Sequence, residues 1–211
     1  MAVGFQAGHA ITTGSNNTLV GGLVGDALTA ADSNTAVGYL ALSTDTLGSR
    51  STAIGRRALG TQNFTTATNS NNTAVGYNAG LNVSTGFNNT LIGGIAGDAL
   101  TVGTRNLAVG YAALGADTKG SKSVAVGLGT LENQNFTTAT DSFNTAVGHA
   151  AGNSITTGIR NTFVGAIAGD AITDADDNVG IGDEALSSDT LGSKSVAVGA
   201  NTLATQNFTT A

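Results

Sequence analysis

The valine of Asn34-Thr35-Ala36-Val37-Gly38 has an equivalent every 17 residues along the chain, except after every fourth copy, where the step is 21. Twelve such rungs can be laid in register, beginning at residues 17, 34, 51, 72, 89, 106, 123, 144, 161, 178 and 195, with a truncated first rung in which Met1 stands at the second position. Self-similarity at a fixed short period requires each unit to bury its apolar face against its neighbours. Helical repeats need about 33 residues or more, whereas these rungs are short and dense in Gly, Thr and Asn. The expected fold is therefore all-β: a parallel β-solenoid (β-roll) of twelve 17–21-residue rungs. It forms a single repeat domain over 1–211, with four-rung blocks at 1–71, 72–143 and 144–211.

Individual positions sharpen this expectation. The fourth is Val or Ile in all twelve rungs and the fifth is Gly in all twelve. A β-branched residue in a strand followed by an obligatory glycine reads as a core residue, then a corner with positive φ or a close backbone approach. The expected structural core therefore includes Val37 and Gly38, Ile54 and Gly55, Val75 and Gly76, Val109 and Gly110, and Val147 and Gly148. The eighth position is mostly Ala, the ninth Gly or Leu, and a second Gly, as at Gly14, Gly48 and Gly86, closes the rung; two short strands and two turns per rung are expected. Asn or Ser at position one either links rungs through a polar column or caps a turn.

The extra residues of each fourth rung follow the string Gln62-Asn63-Phe64-Thr65-Thr66-Ala67, which returns at Gln134 and Gln206. An insertion in a solenoid is expected to leave the stack and emerge on one face. The candidate contact loops are therefore Thr65, Thr66, Thr68 and Asn69 in one block, and Thr137, Thr138, Thr140 and Asp141 in the next. Phe64, Phe136 and Phe208 are expected to plug the wider rung, and Tyr39, Tyr77 and Tyr111 to be exposed.

Composition narrows the function. The chain has 31 Gly, no Pro, Trp or Cys, 8 Lys and Arg against 14 Asp and Glu, and a formal charge of −6. Without cysteine there is no thiol nucleophile, thiolate metal site or disulfide framework. Without a basic stripe there is no expected nucleic-acid partner. The absence of any 18-residue apolar run argues against membrane insertion, and no leader is recognisable at Met1. Few large side chains are available to bury in each rung, so association of several chains is expected.

Catalytic and metal chemistry is equally unsupported. His9 and His149 occupy different rung positions and read as isolated surface residues. Gly180-Ile181-Gly182-Asp183-Glu184-Ala185 mimics a dinucleotide fingerprint, but its Gly182 is the recurring fifth-position glycine and no helix is expected beside it. Asp174, Asp176 and Asp177 read as a solvated turn, not a calcium site, because the corresponding segments of the other blocks, Thr29 to Ser33 and Thr101 to Arg105, have only one Asp or none. Asp26, Asp98 and Asp170 recur once per block, also as turn residues. No enzymatic activity, cofactor or metal is expected.

The pentapeptides Ser123-Val124-Ala125-Val126-Gly127, Ser195 to Gly199 and Ser51-Thr52-Ala53-Ile54-Gly55 resemble the motif of trimeric autotransporter adhesin heads (YadA-like). Asn72-Thr73-Ala74-Val75-Gly76-Tyr77-Asn78-Ala79-Gly80 is similar to repeats of trimeric phage tail-fibre-like proteins. The resemblance implies a left-handed, trimeric roll, found outside the cell, on the cell surface or on a virion, as the head or shaft of an adhesin or tail fibre that attaches to a surface receptor or glycan. The partner it implies is a homotrimer. The family's stalk, anchor and folding chaperone have no counterpart here, so the chain is expected either to be cut from a longer fibre or to stack end to end as a filament or spacer with no specific ligand. A smaller expectation is an ice-binding solenoid, from the second-position column Thr18, Thr35, Thr52, Thr73, Thr90, Thr145 and Thr162, which Leu107, Val124, Val179 and Val196 interrupt.

Overall fold

The computed structural model describes residues 1–208, and the end of the third Gln-Asn-Phe string, 209–211, lies outside the described residues. One parallel sheet of twelve strands runs the length of the molecule, from Ala2–Val3 and Thr18–Val20 through Thr35–Val37 and Thr52–Ile54 to Val179–Ile181 and Val196–Val198. Neighbouring strands pair in register, Thr18 with Thr35 and Thr52 with Thr73, so the 21-residue step keeps the same alignment as the 17-residue one. The chain is thus a parallel β-solenoid of about twelve turns, with no helix among the described residues. At the usual strand separation the stack is about 58 Å long.

Only one strand recurs in every rung, and it is three residues long or shorter. The expected second strand exists only as two-residue pairs, Gly48–Ser49 with Thr68–Asn69 and Gly120–Ser121 with Thr140–Asp141. Elsewhere the stack is held by single backbone hydrogen bonds between rungs. Gly25 N–H donates to the Ala41 carbonyl at 2.9 Å, Thr29 N–H to that of Thr46 at 3.0 Å, and Arg50 N–H to that of Asp32 at 3.0 Å.

The fourth-position residues do not form the core, which corrects the expectation for Val37, Ile54, Val75, Val109 and Val147. Val37, Ile54, Ile92, Val147, Val164 and Ile181 are 36–39% exposed. Side chains of a strand alternate between faces, and in these three-residue strands it is the middle residue that turns inward: Leu19, Ala36, Ala53, Ala74, Leu91, Ala108, Ala125, Ala146 and Phe163 are fully buried. Positions two and four point the other way.

Two further inward columns complete the core, and they compensate each other. At position twelve the sequence runs apolar, apolar, Asp, Gln in each block: Ile11, Leu28, Asp45, Gln62; then Val83, Leu100, Asp117, Gln134; then Ile155, Ile172, Asp189, Gln206. At position nine it runs Gly, Gly, Leu, Leu. Gly25 faces Leu19 and Leu28, and an added Cβ would lie 2.9 Å from Leu28 Cδ1; Gly97 faces Leu91 and Leu100 in the same way. Where position twelve is polar, Leu42, Leu59, Leu114 and Leu131 supply the missing apolar volume and are fully buried. These leucines sit in the left-handed region, with φ between 50° and 56°. That conformation is costly for a side chain bearing Cβ, so burial in close-packed surroundings must offset it.

The fifth-position glycine behaves as expected on both counts. Its φ lies between 125° and 143° in every rung. A Cβ on Gly76 would run into the Gly93 carbonyl of the next rung, with the carbonyl carbon at 2.6 Å. Phe64 and Phe136 are buried as expected, whereas Phe208, in the last rung, is exposed.

Candidate functional site

The position-one asparagines form a buried column that carries out both roles expected of them. Asn17 Oδ1 accepts from Asn34 N–H at 2.9 Å, Asn34 Oδ1 from Ser51 N–H at 2.8 Å, and Asn89 Oδ1 from Asn106 N–H at 3.0 Å. Except at Asn178, whose buried Nδ2 has no partner, Nδ2 donates within its own rung to the carbonyl fourteen residues on, as Asn34 does to Gly48 and Asn89 to Gly103, both at 2.9 Å. Backbone groups that a turn would orphan are thereby satisfied by side chains.

Every fourth rung replaces this asparagine by serine, and a buried polar cluster takes over. Gln62 Nε2 donates to Asp45 Oδ2 at 2.5 Å and to Ser51 Oγ at 2.9 Å, while Gln62 Oε1 accepts from Asn72 Nδ2 at 2.8 Å. Ser51 and Ser70 share a hydroxyl hydrogen bond at 2.5 Å. Asp45 Oδ1 accepts from Gly48 and Phe64 N–H, both at 3.0 Å. The second block reproduces this cluster with Asp117, Gln134, Ser123, Ser142 and Asn144. Asp189, Gln206 and Ser195 repeat its first half in the third block. Sequence reasoning missed these groups, although reading position twelve at the 72-residue period would have exposed them. The string containing Gln62 and Phe64 is therefore a structural device: its glutamine ties three rungs together, and its phenylalanine seals the cluster.

The cluster has a consequence for pH. Burial pushes the Asp117 carboxyl above the ordinary carboxylate range, and the hydrogen bonds from Gln134, Gly120 and Phe136 offset this only in part. The folded state then holds its proton more tightly than the unfolded chain. This contribution to stability is fully present below the unfolded value and is lost as pH rises through the raised folded value. The stability difference between the wild type and Asp117→Asn, followed by thermal unfolding, is expected to shrink from mildly acidic pH towards neutrality. A difference that stays flat across this window rules the effect out.

The inserted residues do not leave the stack as expected. Thr68–Asn69 and Thr140–Asp141 pair back onto the preceding rung, and Ser70 and Ser142 are buried. The three residues after Phe64 and after Phe136, including Thr65, Thr66, Thr137 and Thr138, form an exposed tip, and Asn69 and Asp141 are exposed beside it. Asp141 pairs with Lys122 at 2.7 Å.

His9 and His149 are exposed and far apart in sequence register. Asp177 makes a two-pronged contact with Arg160, at 2.5 Å and 3.0 Å, which holds its carboxyl below the ordinary range. Asp176 lies 3.6 Å from the same guanidinium, so two carboxylates of this acidic turn share one cation. Gly180 belongs to the strand Val179–Ile181 and packs against Phe163. No group of three or more potential metal ligands converges among the described residues. Burial raises the carboxyls of Asp98 and Asp170, which sit half-buried at the tenth position.

What the surface does present is a long face without charge. Positions two and four of all twelve rungs carry only Thr, Val, Leu and Ile, apart from Met1. Arg50, Arg105, Lys122, Arg160, Asp177 and Lys194 border it, each two residues before a strand begins. No helix of the described residues is long and apolar enough to cross a membrane. Comparison with protein-family models, with curated proteins and with solved structures finds no match. The chain is, on its own geometry, a β-solenoid repeat protein.

Proposed function

We propose that this chain is a non-enzymatic, fibrous structural and adhesive protein, a rigid length of a trimeric adhesin head or tail-fibre shaft that works outside the cell, at a cell surface or on a virion. The observation that carries this reading is the charge-free outward face of the twelve-stranded sheet. Contiguous apolar surface of that length is unusual on a soluble monomer and marks an interaction surface. Because it is continuous and nearly identical in every rung, the partner that fits it at every level is another copy in the same register. Rim charges, such as Arg105, Lys122 and the Arg160–Asp177 pair, then stay in water at the edge of the contact, where charge is well solvated.

Sedimentation of the wild type is expected to give three chain masses. Ile54→Lys combined with Val75→Lys and Ile92→Lys, placed mid-column where the side chains point outward, is expected to give one. A wild type that sediments as a monomer at all concentrations sinks the reading. Elongation that grows with concentration points instead to an end-to-end filament.

A further inference from the structure

Position six, just past the corner glycine, carries a column that the stack does not need. From the first rung to the seventh it reads Phe5, Gly22, Tyr39, Arg56, Tyr77, Gly94, Tyr111. Aromatic rings thus alternate with Gly22, Arg56 and Gly94. All four are exposed: Phe5 by 72%, Tyr39 by 49%, Tyr77 by 53% and Tyr111 by 59%. The Tyr39 ring lies across Gly22 and the Tyr111 ring across Gly94, at 3.5 Å and 3.4 Å from where a Cβ would stand. Arg56 lies over the Tyr77 ring, 5.6 Å from its centre, and donates to its hydroxyl at 3.3 Å. In the third block the same column holds His149, Ala166, Asp183 and Ala200, while position twelve keeps its order of apolar, apolar, Asp and Gln. The fold therefore proceeds equally well without the rings.

We propose that this column is a binding track for an extended β-1,4-linked glycan of glucose or N-acetylglucosamine. In such a chain each sugar is turned over relative to the last, so the same apolar C–H face recurs only at every second unit. Rings on alternate rungs stand two strand spacings apart, about 9.5 Å, which is the order of that disaccharide repeat. A flat aromatic ring with a polar tip suits a sugar's apolar face and its hydroxyls together. Where the column ends, at Tyr111 and its neighbour Ala112, a cleft of about 230 Å³ opens, lined by Asp98, Glu132 and Asn133 among others. Carboxylates and amides accept and donate hydrogen bonds to hydroxyls. The inference rests on the reading of the rod as an attachment protein and names its ligand.

The test uses an accident of composition. The chain has three tyrosines and no tryptophan, and all three tyrosines lie in the column, so intrinsic fluorescence reports on it alone. Titration with cello- and chito-oligosaccharides is expected to perturb that fluorescence, weakly for a disaccharide and strongly from five sugars upward, the length that reaches Tyr39, Tyr77 and Tyr111 together. Retention on cellulose or chitin is expected to fall at least tenfold in Tyr39→Ala/Tyr77→Ala/Tyr111→Ala. It is expected to fall similarly in Arg56→Tyr/Tyr77→Arg, which keeps the number of rings and breaks their spacing. No fluorescence change with any β-1,4 oligosaccharide, equal retention on α-linked amylose, or full retention of the respaced variant each overturns the proposal. Sedimentation of the same samples keeps the two readings apart: a trimer that ignores glycans sinks this inference alone, and a monomer that binds them sinks only the fibre.

Discussion

Gly76→Ala is expected to cost at least about 3 kcal/mol of unfolding free energy, whereas Gly199→Ala costs about 1–2 kcal/mol. The two glycines occupy the same rung position and both have strongly positive φ, 142° and 125°. They differ in what lies beyond them. Gly76 is pressed against the carbonyl of Gly93, so an added methyl must drive two rungs apart in the middle of the stack. No described rung follows Gly199, where the nearest obstacle is Thr202 Cγ2 at 3.2 Å. The backbone strain is therefore shared and the collision is not. Equal losses for both variants in chemical denaturation rule out the close approach as the reason for this glycine.

Asn89→Leu is expected to destabilise by about 3 kcal/mol or more, although it places an apolar residue in a fully buried position. Asn89 Oδ1 is the partner of Asn106 N–H and its Nδ2 the partner of the Gly103 carbonyl. Leucine leaves both backbone groups buried and unpaired, at roughly 1–3 kcal/mol each. Asn89→Asp keeps the acceptor but turns the amide donor into an oxygen facing the Gly103 carbonyl, and it buries a charge with no cation in reach. Asn89→Ser is expected to fail as well, because serine at position one works only where Gln62, Gln134 or Gln206 reaches it and an aspartate stands one rung earlier. A leucine variant as stable as the wild type in thermal unfolding removes the ladder from the account of stability.

The period, the number of rungs, the parallel class and the glycine corner were all legible in the sequence, because a stack repeats its steric demands at every level. Which way the valines face was not. Alternation needs several residues to show itself, and a three-residue strand such as Thr35–Val37 offers one inward position, filled by an alanine that reads as filler. The β-branched residues on either side look like a core and are its outer skin. The left-handed conformations at Leu42, Arg50 and Lys122 were also hidden, since nothing in those side chains favours φ near 51° to 62°. They are imposed by the turns and held by the ladder. The buried Asp, Gln and Ser cluster was concealed for another reason: its members lie far apart in the chain and become neighbours only once the rungs are stacked.

The phase of that cluster also governs how such a rod can change length. Removing the third or fourth rung of a block strands an aspartate without its glutamine, or a glutamine and serine without their aspartate. Removing 72–143 joins residue 71 to residue 144 and leaves every level with a neighbour of the right kind. The increments that keep the four-rung phase of the cluster are therefore whole blocks, about 19 Å apiece. The matching strings around Gln62, Gln134 and Gln206 mark equivalent points one block apart. A protein built this way can be lengthened or shortened by recombination in fixed steps, without inventing a new contact.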